Sequence, residues 1–140
     1  LDGRPAIDSA YASLPARERF ALLLRRFVHA SARVPQLGRV IFREGLSGGP
    51  RLEWLVAELA MPHYAMFLDV IDELQADGLM GDWDPVALTL AIHGAGATIY
   101  NLSHLHGRLS GGDPFAAAAI ERQADLLIHA FSGGLVRPET

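Results

Sequence analysis

Six histidines and three tyrosines carry most of the chemistry this sequence can offer, and their spacing limits what that chemistry can be. His104 and His106 stand two apart, so on a helix they do not face each other. His93 and His104 are three turns apart. No pair shows the four-residue spacing of a helical metal site, and no Asp or Glu lies between Val86 and Gly107 to complete one. Convergence of His63 and His93 from separate helices is the one metal arrangement the spacing leaves open, and the expectation is that neither metal nor any other cofactor is bound. No nucleophile elbow, phosphate-cradling loop or carboxylate pair inside an apolar helix is present. Glu44, in the run Arg43-Glu44-Gly45, reads as a cap or an Arg partner rather than a general base. Cysteine is absent, so thiolate and disulfide chemistry are excluded. The chain is therefore not expected to be an enzyme, and a small helical enzyme using His93 or His63 as base is the catalytic alternative.

A second kind of chemistry is recognition. Between Val86 and Gly107 lie twenty-two residues without Asp, Glu, Lys or Arg. Such a length raises the question of a membrane span. His93, His104, His106, Asn101 and Ser103, and the lack of a positively charged cytoplasmic flank, argue against it. A helix apolar on nearly every face is otherwise buried on nearly every side, by other helices of the chain and often by a second subunit. His93, Ala97 and Tyr100 share one of its faces. Upstream, His63 and Tyr64 follow Pro62, whose place inside a helical pattern predicts a kink or local break. The face bearing His63, Met66, Phe67 and Val70 is expected to look towards His93, Ala97 and Tyr100. Apolar walls with a few polar groups describe a pocket for a small, largely hydrophobic molecule. Without Arg or Lys at these positions, a strongly anionic guest is disfavoured.

The elements that must position these residues all read as helices. Residues 1–13 are weakly patterned, a short helix or a frayed end. From Leu14 to Arg33, Phe20, Leu23, Leu24, Phe27 and Val28 recur at helical spacing, and Pro35 stops the helix. A shorter helix from Pro35, with Leu37, Val40 and Ile41 inward, ends at Ser47-Gly48-Gly49-Pro50. A long helix over about 51–77 should turn Leu52, Leu55, Val56, Leu59, Met66, Val70 and Leu74 inward. Asp84-Pro85 caps and starts the uncharged helix, and Asp113-Pro114 repeats that signal before the last helix. There Ile120, Ala124, Leu127, Ile128 and Phe131 form one apolar stripe, expected to join the uncharged helix in a two-fold homodimer. No segment alternates with period two. The sequence predicts a single all-α domain over residues 1–140, a bundle of about five main helices dimerising through the last two.

The formal charge is −4, but it is uneven. Residues 1–51 carry nine Arg against four acids, and residues 52–140 three Arg against twelve acids. A basic first third is either a solvated helix face or a surface turned towards nucleic acid or a partner that binds it. Arg without Lys, with abundant Ala, Gly and Leu, fits a GC-rich bacterial source.

The order of these elements resembles the C-terminal domain of TetR-type transcriptional repressors over roughly residues 14–135. The resemblance rests on Leu14–Arg33, on Val34-Pro35 through Arg43-Glu44-Gly45, on the long helix with Met61-Pro62, on Gly78 with Asp84-Pro85, and on Gly111-Gly112-Asp113-Pro114. It implies a cytoplasmic, ligand-sensing and dimerising domain, with an effector pocket between the middle helices whose lining varies among members. It also implies that DNA is bound only through an N-terminal helix-turn-helix, which this sequence does not contain. No membrane partner is expected. A stand-alone helical carrier or interaction module is the non-enzymatic alternative.

Overall fold

The computed structural model describes residues 9–133 and 135–138, and it is helical throughout, with no strand among the described residues. The expectations for residues 1–8 and for Gly134 lie outside the described residues. A short helix, α1 (Ser9–Ser13), leads into α2 (Ala16–Arg33), which is the centre of the bundle. Phe20, Leu23, Leu24, Phe27 and Val28 of α2 are all buried, as their spacing predicts. Val34 leaves helical geometry at φ −129°, ψ 66°, as a residue pushed out of the α region by the following proline does. Helices α5 (Met61–Ala76), α6 (Pro85–Asn101) and α8 (Ala117–Leu127) pack around α2.

Three salt bridges fasten that arrangement from outside. Arg25 reaches Glu121 and Asp125 on α8, each at 2.6 Å, and Arg19 reaches Glu73 on α5 at 2.6 Å. Two of the nine arginines of the first third thus meet acids of the rest within one chain. A second link at the base of the bundle joins Met80 and Val136 in an isolated antiparallel bridge, with the Arg137 amide donating to the Leu79 carbonyl at 2.7 Å.

Five expectations need correction. The long helix is a composite: α4 (Pro50–Leu55), a π turn (Val56–Ala60) and α5 follow without a gap. Pro62 has no N–H to donate, and the widened turn just before it is the local break expected there. Leu59 is exposed instead of inward. Helix α3 (Pro35–Ser47) buries none of its residues fully, so Leu37, Val40 and Ile41 do not enter the core.

The uncharged stretch is also two helices. Asp84 caps α6 as expected, its carboxylate accepting from the Val86 amide at 2.9 Å. Leu102 then breaks the helix at φ −113°, ψ 45°, and α7 (Ser103–Ser110) sets off separately. The run Pro50–Ala76, not the uncharged stretch, is long and apolar enough to cross a membrane by length and composition, and its α5 half is packed into the core. Finally, Asp113-Pro114 does not start the last helix. Asp113 accepts from the Phe115 amide in a turn, and α8 begins at Ala117, passing into a π segment (Ile128–Gly133).

Candidate functional site

Where α2, α3, the π turn and α6 meet, the side chains leave a cavity of about 190 Å³. Phe27, Ala30 and Ser31 of α2 form one wall, and His93, Ala97 and Asn101 of α6 the opposite one. Leu59, Ala60, His63 and Tyr64 close a third side, and Leu37, Gly38 and Ile41 of α3 cover the top. The π turn and Pro62 sit at the corner where a regular helix would have presented different residues to this space.

The polar groups are few and closely placed. The Tyr64 hydroxyl lies 2.9 Å from Nδ1 of His93, tying the long helix to α6. A phenol is the better donor and an sp² imidazole nitrogen the better acceptor, so Tyr64 donates and His93 carries its proton on Nε2. Burial pushes the Tyr64 phenol up and keeps it protonated. Burial also holds both imidazoles below the usual histidine value, and His63 is held down further by the neighbouring His93. Both rings are therefore neutral at pH 7 and above. Phe27 stands between them, with centroids 5.6 Å from His63 and 5.2 Å from His93. Nε2 of His63 is buried without a hydrogen-bond partner among the described residues. No Asp, Glu, Lys or Arg lines the cavity.

Helix α3 is held over the cavity by its polar contacts rather than by burial. The Arg39 guanidinium donates to the Tyr100 carbonyl at 3.1 Å and to the Asn101 carbonyl at 3.4 Å, where α6 ends and its last carbonyls lack helical partners. Gly38 packs against the Asn101 side chain: a Cβ there would fall 2.7 Å from its Oδ1.

Of the seven predicted site residues, His63, His93 and Ala97 line the cavity. Phe67, Val70 and Tyr100 are instead sealed in the core, and Met66 packs partly buried against it. The facing surfaces of α5 and α6 close on each other below His63, and the open space lies a turn or two nearer α3. Tyr64 and all of the α2 and α3 lining fall outside the predicted set. Phe27 reads in the sequence as core, which it is, and only the fold shows that one edge of its ring is left to the cavity.

The predicted dimer stripe lies elsewhere than at a free surface. Ala124 and Leu127 are buried against α2 of the same chain, and Ile120, Ile128 and Phe131 pack partly buried on that core. The exposed apolar side chains of this region are Val86 and Leu90 on α6, Leu105 and Leu109 on α7, and Leu126 on α8. Among the described residues no group of three or more His, Asp or Glu side chains is placed to hold a metal ion. Comparison with protein-family models, with curated proteins and with solved structures finds no match to this chain.

Proposed function

We propose that this chain is the ligand-sensing and dimerising domain of a bacterial TetR-type transcriptional regulator, cytoplasmic and without catalytic activity of its own. The observation that carries the reading is the cavity. It lies among the middle helices, its walls are apolar, and its few polar groups can orient a guest. The order of elements along the chain supports the same family, and the all-helical bundle is compatible with it.

A homodimer is the second part of the proposal. Leu90 is 57 % exposed, Leu109 80 % and Leu126 61 %, on helices that follow one another in the chain. A second copy set by two-fold symmetry against the exposed sides of these helices would cover apolar side chains of this kind. In the intact regulator a guest that binds one dimer arrangement better than the other would shift the population between them, and with it the spacing of two helix-turn-helix units.

The test is thermal unfolding in the presence of a library of uncharged small molecules. Some members should raise the unfolding temperature of wild type and none should raise that of Ala97→Phe, which fills the cavity. Leu37→Trp fills it from the exposed side of α3 and serves if Ala97→Phe does not fold. A library that stabilises neither, or stabilises filled variants equally, would contradict the reading.

A further inference from the structure

The size, the walls and the hydrogen-bonding capacity of the cavity together restrict what it can hold. Resting on the sensing role proposed above, we infer that the guest is an uncharged molecule built on a single aromatic ring and bearing a carbonyl group, an aryl ketone or ester. Size is the first restriction. A cavity of about 150 Å³ walled by Leu, Ile and Phe side chains holds benzene. The 190 Å³ here has room for a ring with a short substituent.

The walls supply the second restriction. Phe27, His63, Tyr64 and His93 present four rings with neighbouring centroids 5.2 to 6.0 Å apart, the separation at which aromatic groups take edge-to-face and offset arrangements. A fifth ring inserted beside them extends that cluster. Aliphatic contact comes from Leu37, Ile41 and Leu59 at the α3 end.

Hydrogen bonding supplies the third. Tyr64 commits its proton to Nδ1 of His93, which leaves His93 an N–H at Nε2, and Nε2 of His63 is buried without a partner among the described residues. A donor of that kind calls for an acceptor on the guest, and a carbonyl oxygen is the acceptor a mostly apolar ring most readily carries. Charge is excluded by the same inventory. With neutral imidazoles and no Arg or Lys in the lining, a carboxylate would be desolvated without a counter-charge.

Three probes of similar size separate these requirements: acetophenone, ethylbenzene and benzoate, titrated calorimetrically into the chain at pH 7.5. Acetophenone is expected to bind about threefold to tenfold more tightly than ethylbenzene, the range one net neutral hydrogen bond supports, and benzoate not at all. In the double variant Tyr64→Phe, His93→Phe the rings keep their shape and the Tyr64–His93 pair goes while His63 stays, so ethylbenzene should bind as before and the preference for acetophenone should fall. The single His93→Phe variant is less clean, because it frees the Tyr64 hydroxyl to donate to the guest instead. Equal binding of ketone and hydrocarbon, tighter binding of benzoate, or a preference that the double variant leaves undiminished would overturn the inference and leave the sensing role standing. If none of the three binds while another library member stabilises wild type but not Ala97→Phe, the inference fails alone. If no library member does so, both fall together.

Discussion

A Cβ on Gly96 would sit 2.7 Å from Cε1 of Phe27 and 3.1 Å from Cδ2 of Leu127, so α6 lies against α2 and α8 at a distance only glycine permits. Phe27 cannot simply yield. Its ring is wedged against His63, His93 and Phe67, and it is also a wall of the cavity. The close approach of two helices and the shape of the site are thus one feature.

Gly96→Ala should therefore destabilise the fold. Overpacking costs about 1–3 kcal/mol, against the roughly 1 kcal/mol that Ala gains over Gly inside a helix. Gly94, on the same helix, has nothing within 4 Å of where its Cβ would be, and Gly94→Ala should stabilise by up to about 1 kcal/mol. Urea unfolding of the two variants gives opposite shifts in midpoint if the packing is as described, and shifts of the same sign if it is not.

Tyr100 offers a stability gain. Its ring is wholly buried, its hydroxyl has no partner among the described residues, and burial pushes its phenol up to about 12. Tyr100→Phe removes a desolvated donor and should raise stability by about 1 kcal/mol, read from denaturant unfolding. A loss of similar size would mean that the hydroxyl has a partner in solution.

The two cavity histidines set a pH dependence. Both have folded values below their unfolded value near 6.5, so the unfolded chain takes up protons first on acidification. Their contribution to stability is whole above about pH 6.5 and is lost as pH falls from there through the folded values. The unfolding temperature should drop between pH 7.5 and pH 5, and the drop should shrink in His63→Phe and in His93→Phe. An unchanged slope in both variants would assign the loss to other groups.

How much of this is legible in the sequence depends on which contacts decide each element. Helix α2 is legible because Phe20, Leu23, Leu24, Phe27 and Val28, all buried, share one stripe and Pro35 ends it. The Asp84 cap is legible because it is local chemistry. The break at Leu102 carries no glycine or proline signal. It is stabilised by Arg39 from α3, a contact 62 residues away in the chain, and no period in the sequence reports it. The cavity is half legible for the same reason. His63, His93 and Ala97 follow from polar interruptions on apolar faces, whereas the α3 cover depends on Gly38 meeting Asn101 across the fold.

The stripe on the last helix shows why an apolar face alone does not identify a subunit contact. Ala124 and Leu127 are used inside the chain, so Leu127→Arg, at a site 2 % exposed, would unfold the monomer and say nothing about assembly. Leu126→Arg falls on the exposed neighbour. Sedimentation should show wild type as a dimer at micromolar concentration and Leu126→Arg as a folded monomer. A monomeric wild type would remove the dimer from the proposal.

The cavity can be observed directly by filling it. Nuclear Overhauser contacts measured between bound acetophenone and the methyl groups of the isotope-labelled chain report where a guest sits in solution. The expected result is contacts to Ala97 of α6 and to Ile41 and Leu37 of α3, which meet nowhere but around the cavity. Contacts confined to Leu90, Leu109 and Leu126, with none to Ala97 or Ile41, would place the guest on the exposed helical face and contradict the assignment of this site.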